Sequence, residues 1–250
     1  NRFSISAIFL FGYFIWWELN TDSPMIDLRL FRNRILSVAS TARMIGFLGS
    51  SGVFLLMPIY LISLRGFEEA VAGGVLFLSP VGVAIAAQLS GRLGDKYGTT
   101  PFMVIGFALT AAVAGAFMFL DIDTPTWIVM TILFFNGTSL GMWNVSSNSV
   151  VMGSVPNAVM GVVGALTNLT RNVGSVIGQA LVTALVVGVM VGRGFDIPLS
   201  EVSGSSGASS AFIAGWRIAF SLVVVLALIA MVLAIAARPR KTVVDEIGVN

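Results

Sequence analysis

The sequence predicts an all-α membrane protein, and three observations support this class. Of the 250 residues, 56% are hydrophobic and only 10% are charged, whereas a soluble domain carries about 25% charged residues. The charged residues cluster between long apolar runs, and several runs reach the roughly 20 residues that a helix needs to cross a bilayer. Barrel strands would instead be about ten residues long, with strict alternation. The sequence therefore favours several transmembrane helices over a large soluble core.

Seven apolar runs define the predicted spans. The first, Phe3 to Trp17, is short and indicates a partial helix. The remaining six, in chain order, are Leu36 to Leu61, Val71 to Leu89, Phe102 to Leu120, Trp127 to Val150, Met160 to Val191 and Ala211 to Ala236. The run that starts at Met160 is longer than a crossing requires, which indicates a tilted helix or one that projects a turn or two into the cytoplasm.

Arginine and lysine residues set the predicted orientation, because short cytoplasmic loops carry an excess of them. If the chain crosses the membrane at each run, most basic residues fall on one side: Arg29, Arg32, Arg34, Arg92, Lys96, Arg238, Arg240 and Lys241. The other side mixes basic and acidic residues: Arg65, Arg193, Arg217, Glu68, Glu69, Asp121, Asp123, Asp196 and Glu201. The first side is therefore predicted to be cytoplasmic, and residues 238–250 to form a cytoplasmic tail.

The composition excludes several kinds of site. The chain has no cysteine and no histidine, so it offers no disulfide, no thiolate nucleophile and none of the commonest metal ligand. No nucleophile–base pair or metal cluster is evident, so we predict neither a cofactor nor an enzymatic activity. The net charge is only +2 and the basic residues lie mostly in short loops, so nucleic acid is not an expected partner.

A short polar hinge, Gly91 to Thr100, separates the third and fourth predicted spans. Its glycines permit a tight reversal of the chain. Asp95 precedes a helix predicted to begin near Thr99 or Pro101, where a carboxylate can accept hydrogen bonds from exposed helix amides. Neighbouring basic side chains can pair with this carboxylate or with lipid phosphates. The alternative, on physical grounds alone, is an ordinary cytoplasmic turn.

The pattern Gly91-x-Leu-x-Asp-Lys-x-Gly98 between two spans resembles the signature loop of the major facilitator superfamily. The fuller motif continues with two basic residues, where this chain has Thr99 and Thr100. That difference is typical of the copy in the C-terminal half. The resemblance implies a conformational-switch loop formed by Gly91, Arg92, Asp95, Lys96 and Gly98.

Two further stretches are similar to the fourteen-helix drug–proton antiporters of that superfamily. Residues 23–33 resemble the linker before their C-terminal bundle, and residues 148–174 contain motifs of their penultimate region. The resemblance implies a last linking helix, a cytoplasmic connector and a C-terminal six-helix bundle, at residues 1–19, 20–34 and 35–237. The bundle would consist of two inverted three-helix repeats, and about seven or eight further spans are expected upstream.

Polar residues inside the spans mark the predicted transport path. On the run from Trp127 they recur at near-helical spacing: Asn136, Trp143, Asn144, Ser147 and Asn148. On the run from Met160 they form a stripe with small residues: Gly161, Gly164, Asn168, Arg171, Ser175 and Gly178. Such a stripe faces other helices and not lipid. Plain helix packing is the favoured explanation for the glycines, whereas interhelical hydrogen bonding and cavity lining explain the asparagines equally well.

Two arginines lie within the predicted spans. Along a helix, Arg171 is roughly 16 Å from Met160, and Arg43 is roughly 12 Å from Ile35. An arginine at the centre of a bilayer costs about 2.5–3.5 kcal/mol on insertion scales. We expect both arginines in a cavity or a polar network, with snorkelling to the cytoplasmic surface as the alternative. None of the twelve acidic residues lies within a predicted span, so a proton-coupling acid is expected upstream.

The resemblance implies a secondary active transporter that exports amphipathic or hydrophobic compounds in exchange for protons by alternating access. Its expected partners are the small-molecule substrate, protons and membrane lipids. Its expected location is the plasma membrane, which is the inner membrane in a bacterium. The alternatives are a lipid or metabolite exporter or a uniporter on the same fold, and a non-transporting membrane sensor or scaffold.

Overall fold

The computed structural model describes residues 33–199, residue 202 and residues 206–237. The predicted first span, most of the connector and the C-terminal tail lie outside this part. The described part contains six helical spans that are long and apolar enough to cross a membrane, which confirms the predicted all-α membrane fold. The helices are α1 Arg34–Pro58, α2 Glu69–Leu76, α3 Leu78–Tyr97, α4 Thr99–Met118, α5 Thr126–Gly153, α6 Met160–Gly192 and α7 Ser206–Ala236. Helices α2 and α3 together form one span.

Helix α1 begins at a side-chain cap. The side-chain oxygen of Asn33 accepts hydrogen bonds from the backbone amides of Ile35 at 3.0 Å and Leu36 at 3.4 Å. This cap satisfies two amides that have no partner inside the helix. The side-chain amide of Asn33 also donates to the carbonyl of Ser154 at 2.9 Å. The start of α1 is therefore tied to the end of α5.

Two prolines accompany interruptions of the regular α-helix in their spans. Pro58 ends α1, and the chain continues from it as a π-helical turn, Ile59–Leu64. Pro80 lies in the first turn of α3, four residues after Leu76. In a continuous helix its ring would clash with the carbonyl at that position. The span accordingly breaks at Phe77, between α2 and α3.

Gly98 makes the turn between α3 and α4. Its φ of +86° lies in the left-handed region, which glycine enters without steric cost. Helix α4 begins at Thr99, as predicted, but no side chain caps it. Asp95 lies in the last turn of α3. The predicted capping role of Asp95 is therefore wrong, because α3 continues through Tyr97 and keeps this carboxylate inside the preceding helix.

The six spans pack as two groups of three with matching contacts. Helix α1 packs against α6 and α7, and α5 packs against α3 and α4. Helix α1 also contacts α5, and α4 packs against α7. Exchanging the first three spans with the last three maps the α1–α6 and α1–α7 contacts onto the α5–α3 and α5–α4 contacts, and it maps the α1–α5 and α4–α7 contacts onto themselves. Because three crossings reverse the direction of the chain, this is the contact pattern of two inverted repeats.

Glycines allow the closest helix pairs to approach each other. A Cβ atom added at Gly137 of α5 would collide with the backbone of Ser79 in α3, and one added at Gly178 of α6 would collide with the carbonyl of Leu48 in α1. Small residues permit this proximity of backbones. Helix packing therefore explains Gly178. It does not explain Gly161, where an added Cβ atom would meet no described atom within 4 Å.

An apolar core closes the end of the bundle opposite the α3–α4 turn, and Trp216 lies at its centre. Trp216 is fully buried, and its indole N–H donates to the carbonyl of Phe117 at 2.7 Å. Its ring centroid lies 5.2 Å from that of Tyr60 and 4.6 Å from that of Phe220. The hydroxyl of Tyr60 donates to the carbonyl of Asp121 at 2.6 Å. Aromatic side chains from three spans thereby hold this end together.

Candidate functional site

Arg43 is the centre of the candidate site. It lies on α1 about 14 Å from the start of the helix, and only 7% of it is exposed. Its Nη1 donates to the carbonyl of Asn144 at 2.9 Å and to the hydroxyl of Ser147 at 3.1 Å, both on α5. Its guanidinium carbon lies 5.3 Å from the centre of the Phe47 ring, within the range of a cation–π contact. Both hydrogen-bond acceptors are neutral, so α5 supports the guanidinium without cancelling its charge.

Trp143 packs beside this arginine. Its ring stacks on Phe107 of α4 at 4.9 Å and meets Phe47 edge-on at 4.9 Å. Trp143 is fully buried, so the structure places it inside the helix packing of the described bundle. Two buried donors here have no acceptor among the described residues: Nε of Arg43 and Nε1 of Trp143. Each unpaired buried N–H costs about 1–3 kcal/mol.

The three predicted asparagines of α5 lie in different environments. Asn136 is buried, and its carbonyl accepts from the hydroxyl of Ser139 at 2.8 Å. Asn144 is half-buried and supports Arg43 through its carbonyl, whereas Asn148 is exposed. About 12 Å of helix separates Asn136 from Asn144. Of the three asparagines, the structure therefore brings only Asn144 into hydrogen-bonding contact with Arg43.

One face of α6 is polar and uncovered. Asn168, Arg171 and Asn172 are exposed in the described bundle, and Ser175 is half-buried. Arg171 lies one turn before Gly174, where an added Cβ atom would meet the carbonyl of Met44 on α1, so it belongs to the part of α6 that packs beside Arg43. Helix α6 and the α2–α3 span are also the two spans with the smallest buried share. Because a polar face at membrane depth needs water or protein partners, this side of α6 is expected to face a cavity or further helices.

Neither Arg43 nor Arg171 has a carboxylate partner among the described residues. The one ion pair in that part of the chain joins Arg217 to Asp121 at 3.6 Å, at the Trp216 end of the bundle. Within the described helices, acidic residues occur only in the first turn of α2 and the last turn of α3. The described spans thus place two positive charges near each other and no negative charge beside them.

The hinge charges lie on the surface at the end of α3. Arg92, Asp95 and Lys96 are exposed, and Gly91 is half-buried. Asp95 forms no ion pair with either of these described basic side chains. A carboxylate in the last turn of a helix meets the negative end of the helix dipole, which disfavours it. Asp95 is therefore free to bind a partner other than the α4 amides.

An apolar cavity of about 240 Å³ lies where the two bent spans face each other. Its lining includes Phe54 of α1, Phe77 between α2 and α3, and Leu133 of α5. Among the lining residues, Ser79 alone has a polar side chain, and its hydroxyl is buried without a described hydrogen-bond partner. Phe54 follows Arg43 by about three helical turns, or roughly 16 Å. The cavity and the guanidinium therefore lie along the same side of α1.

Sequence reasoning does not identify this cavity. The signal available for it is the pair of prolines, Pro58 and Pro80, inside apolar runs. Prolines kink helices and so separate them from their neighbours. The sequence indicates where each helix is interrupted, but it does not show that Pro58 and Pro80 line the same cavity.

Known proteins match this chain over most of its length. The family model described as Major Facilitator Superfamily matches residues 3–179. The riboflavin transporter RibZ of Clostridioides difficile is 26% identical over 176 residues, which cover 70% of this chain and 39% of that protein. The fatty acid resistance protein FarB of Neisseria gonorrhoeae is 27% identical over 188 residues, which cover 72% of this chain and 36% of that protein.

A third relative extends the match. The methyl viologen resistance protein SmvA of Salmonella typhimurium is 27% identical over 202 residues, which cover 80% of this chain and 39% of that protein. The matched segment therefore spans less than two-fifths of the length of each of these three relatives.

Proposed function

Because this chain belongs to the Major Facilitator Superfamily, we propose that it forms part of a secondary active transporter that exports amphipathic or hydrophobic compounds in exchange for protons. The observation that carries the proposal is the uncovered polar face of α6, with Asn168 and Arg171 within a membrane span. Such a face suits a bundle that lines a water-accessible path. The names of relatives support the substrate class, since they include fatty acid, methyl viologen and multidrug resistance.

In this proposal the bundle of residues 35–237 is the C-terminal half of the transporter, and an upstream bundle supplies the other wall of the path. Alternating access is the rocking of one bundle against the other around the substrate. The switch loop at the end of α3 lies on the surface, where its charges can make contacts that differ between the two states. Residues 1–19 act as a linking helix, residues 20–34 as a connector and residues 238–250 as a tail.

The described bundle offers complementary surfaces for an amphipathic compound. The cavity beside Phe54 is apolar apart from Ser79, and binding pockets for small molecules are mostly apolar with a few polar groups. Arg43 and the α6 face provide the polar part. An elongated molecule can therefore place its apolar portion in the cavity and its polar portion toward α6.

Protons are the proposed coupling ion, carried by an acidic residue in the upstream half. Proton coupling in a membrane uses an ionisable carboxylate or histidine within the spans, and the described spans contain acidic residues only near helix ends. The excess of basic residues beside the switch loop and in the tail favours a cytoplasmic C-terminus. We place the protein in the inner membrane of a bacterium, where it contacts lipid on its outer face.

Proton-independent transport of a metabolite is the second candidate function. The metabolite in this alternative is favoured by one relative, which is named a riboflavin transporter. A carboxylate in the first upstream helix would favour coupled export over this alternative.

The test is a flux assay on the complete protein that contains this chain. Everted membrane vesicles are energised so that their interior is acidic, and ethidium uptake is followed by fluorescence. We expect accumulation that collapses when nigericin dissipates the pH gradient, and no accumulation in vesicles without the protein. Downhill flux of ethidium or riboflavin that does not depend on the pH gradient would contradict antiport and support a uniporter. No flux of ethidium, riboflavin or dodecanoate would favour a sensor or scaffold.

A further inference from the structure

Arg43 and Arg171 form a pair of positive charges that the described helices leave without a negative partner. Arg43 is more than nine-tenths buried. Its Nη1 uses two neutral oxygens, and its Nε has no described acceptor. Arg171 lies on the neighbouring helix, one turn before Gly174, which packs against the Met44 carbonyl of α1, so the two like charges are close enough to repel each other. Because Arg43 is buried, water screens that repulsion less than it would between two arginines at a protein surface.

The chemistry of the guanidinium group indicates which anion would relieve this repulsion. A guanidinium is planar and presents its N–H groups as a fork that matches the two oxygens of a carboxylate. A carboxylate has enough acceptor sites to receive hydrogen bonds from two arginines at once. The unused Nε of Arg43 and the exposed side chain of Arg171 are therefore suited to a shared carboxylate.

We propose that Arg43 and Arg171 together bind one carboxylate at the uncovered side of α1 and α6, as the recognition site for an amphipathic acid. The apolar cavity beside Phe54 begins about three turns further along α1 and receives the hydrocarbon portion. This inference deepens the proposed function, and the assignment of the carboxylate to a transported compound rests on it.

A carboxylate at this arginine pair can come from either of two sources. One is the transported compound, and the other is an acidic side chain from an upstream part of the protein that the arginines pair with in one state. The binding pattern distinguishes them, because a free site prefers an added acid over its uncharged analogue and an occupied site does not.

The experiment measures binding of dodecanoate and of dodecanol, its uncharged analogue, to the complete protein in lipid nanodiscs by calorimetry. The variants are Arg171→Gln, Arg43→Gln and the matched control Arg193→Gln. The control removes an exposed arginine that immediately follows α6, away from the site. If Arg43→Gln does not fold, Arg43→Lys, which keeps the charge and loses the fork, takes its place.

We expect the wild type to bind dodecanoate at least about tenfold more tightly than dodecanol, since hydrogen bonds to charged groups are the stronger kind. Arg171→Gln and Arg43→Gln reduce that preference to less than about twofold, by the loss of one charged partner. Arg193→Gln keeps it. This outcome assigns the carboxylate to the transported compound.

An upstream carboxylate gives a different result. The wild type then shows no preference, Arg171→Gln lowers the Tm clearly more than Arg193→Gln does, and neutralising one upstream acid restores the Tm. The proposal is overturned if the wild type shows no preference and Arg171→Gln shifts the Tm no more than Arg193→Gln.

Binding does not require transport, so this test can fail separately from the flux assay. A retained preference for dodecanoate in a protein without proton-driven flux would overturn the proposed antiport and leave the carboxylate site standing. Proton-driven ethidium flux, with no preference for dodecanoate and no specific loss of Tm in Arg171→Gln, would support the antiport and overturn the carboxylate site.

Discussion

Two buried side chains with N–H groups, Trp216 and Arg43, are in opposite situations. The single donor of Trp216 is used by the carbonyl of Phe117, and aromatic rings surround it. Arg43 leaves a buried donor unused and carries a charge that its neighbours do not cancel. A fully satisfied buried group stabilises the fold, whereas an unsatisfied one marks a place where a ligand or a change of state is expected. We therefore expect Trp216 to contribute to stability, and the proposed role of Arg43 is functional.

At Arg171, the shape of the cation is expected to matter as well as its charge. Arg171→Lys keeps the charge but loses the planar fork, so we predict slower proton-driven flux. Arg171→Leu removes both and is predicted to be slower still, by a factor of about ten relative to wild type if one charged hydrogen bond is lost. Membrane insertion, measured by surface labelling, should be unchanged in both. Normal flux in Arg171→Leu would leave the side chain as an ordinary snorkelling arginine.

At Trp216, we predict that replacement by phenylalanine destabilises the protein. The substitution removes the indole N–H bond to the carbonyl of Phe117, which keeps the backbone amide of Leu120 as a donor at 3.2 Å. The loss of this one hydrogen bond costs about 0.5–1.5 kcal/mol. The Tm of the complete protein in detergent measures this effect. The control is Trp127→Phe, because Trp127 is 67% exposed and surface changes of this kind stay within about 0.5 kcal/mol. Equal Tm values for the two variants would contradict the role given to Trp216.

At the scale of helices, two close pairs correspond to each other in the inverted repeats: α5 with α3, and α6 with α1. Gly137 brings α5 against α3, and Gly178 brings α6 against α1. In both pairs a glycine faces the backbone of the partner, and the helices are within reach because neither side chain intervenes. The packing of α6 against α1 continues to Gly174, where an added Cβ atom would meet the carbonyl of Met44, and this brings Arg171 to the level of Arg43. A change in this packing would therefore alter both stability and the arginine pair.

Gly178→Ala and Gly161→Ala are predicted to have effects of opposite sign. The methyl group at residue 178 meets the carbonyl of Leu48, and such overpacking costs about 1–3 kcal/mol. At residue 161 the space is open, so alanine gains up to about 1 kcal/mol from helix propensity. Thermal unfolding of the two variants in detergent tests the pair. A lower Tm for Gly161→Ala than for Gly178→Ala would show that close packing is not what selects glycine at residue 178.

At the scale of the whole bundle, the two ends differ. The end around Trp216 is closed by apolar and aromatic packing from all six described spans, and the end at Gly98 carries exposed charges in the last turns of α3, next to a tight turn. Closed packing suits a part that moves as one body. Exposed charges suit contacts that form in one state and break in another, because such contacts bury little surface. The proposed switch loop therefore lies at the end of the bundle where contacts are expected to change during transport.

Asp95→Asn is predicted to change the rate of proton-driven flux and to leave insertion intact, because the loss of one surface charge removes no packing. Asp123→Asn is the matched control, since Asp123 is also exposed and lies in the loop between α4 and α5 at the opposite end. Flux is compared at equal expression. An unchanged flux rate in Asp95→Asn would indicate that the hinge is an ordinary turn with no role in conformational switching.

The position of each span could be predicted from the sequence. The run from Trp127 to Val150 became α5, Thr126–Gly153, and the other five runs in the described part agree within several residues or are extended at their ends. This works because bilayer thickness sets the length of apolar run that a helix needs. The chain reversal at Gly98 could also be predicted from the sequence, since few residues other than glycine adopt a positive φ at low cost.

The face that each helix turns toward its neighbours was decided only by the tertiary structure. Lipid and helix packing are both apolar surroundings, so hydrophobic periodicity does not separate them as it does in water. For that reason three arrangements could not be predicted from the sequence. They are the burial of Trp143 in the helix packing, the proximity of Arg43 to Arg171, and the position of Pro58 and Pro80 around one cavity. It also could not show that Asp95 belongs to α3, because the end of that helix depends on Gly98 and not on the carboxylate. Sequence alone determined that the chain crosses a membrane and where, and three-dimensional packing determined which of its polar groups meet.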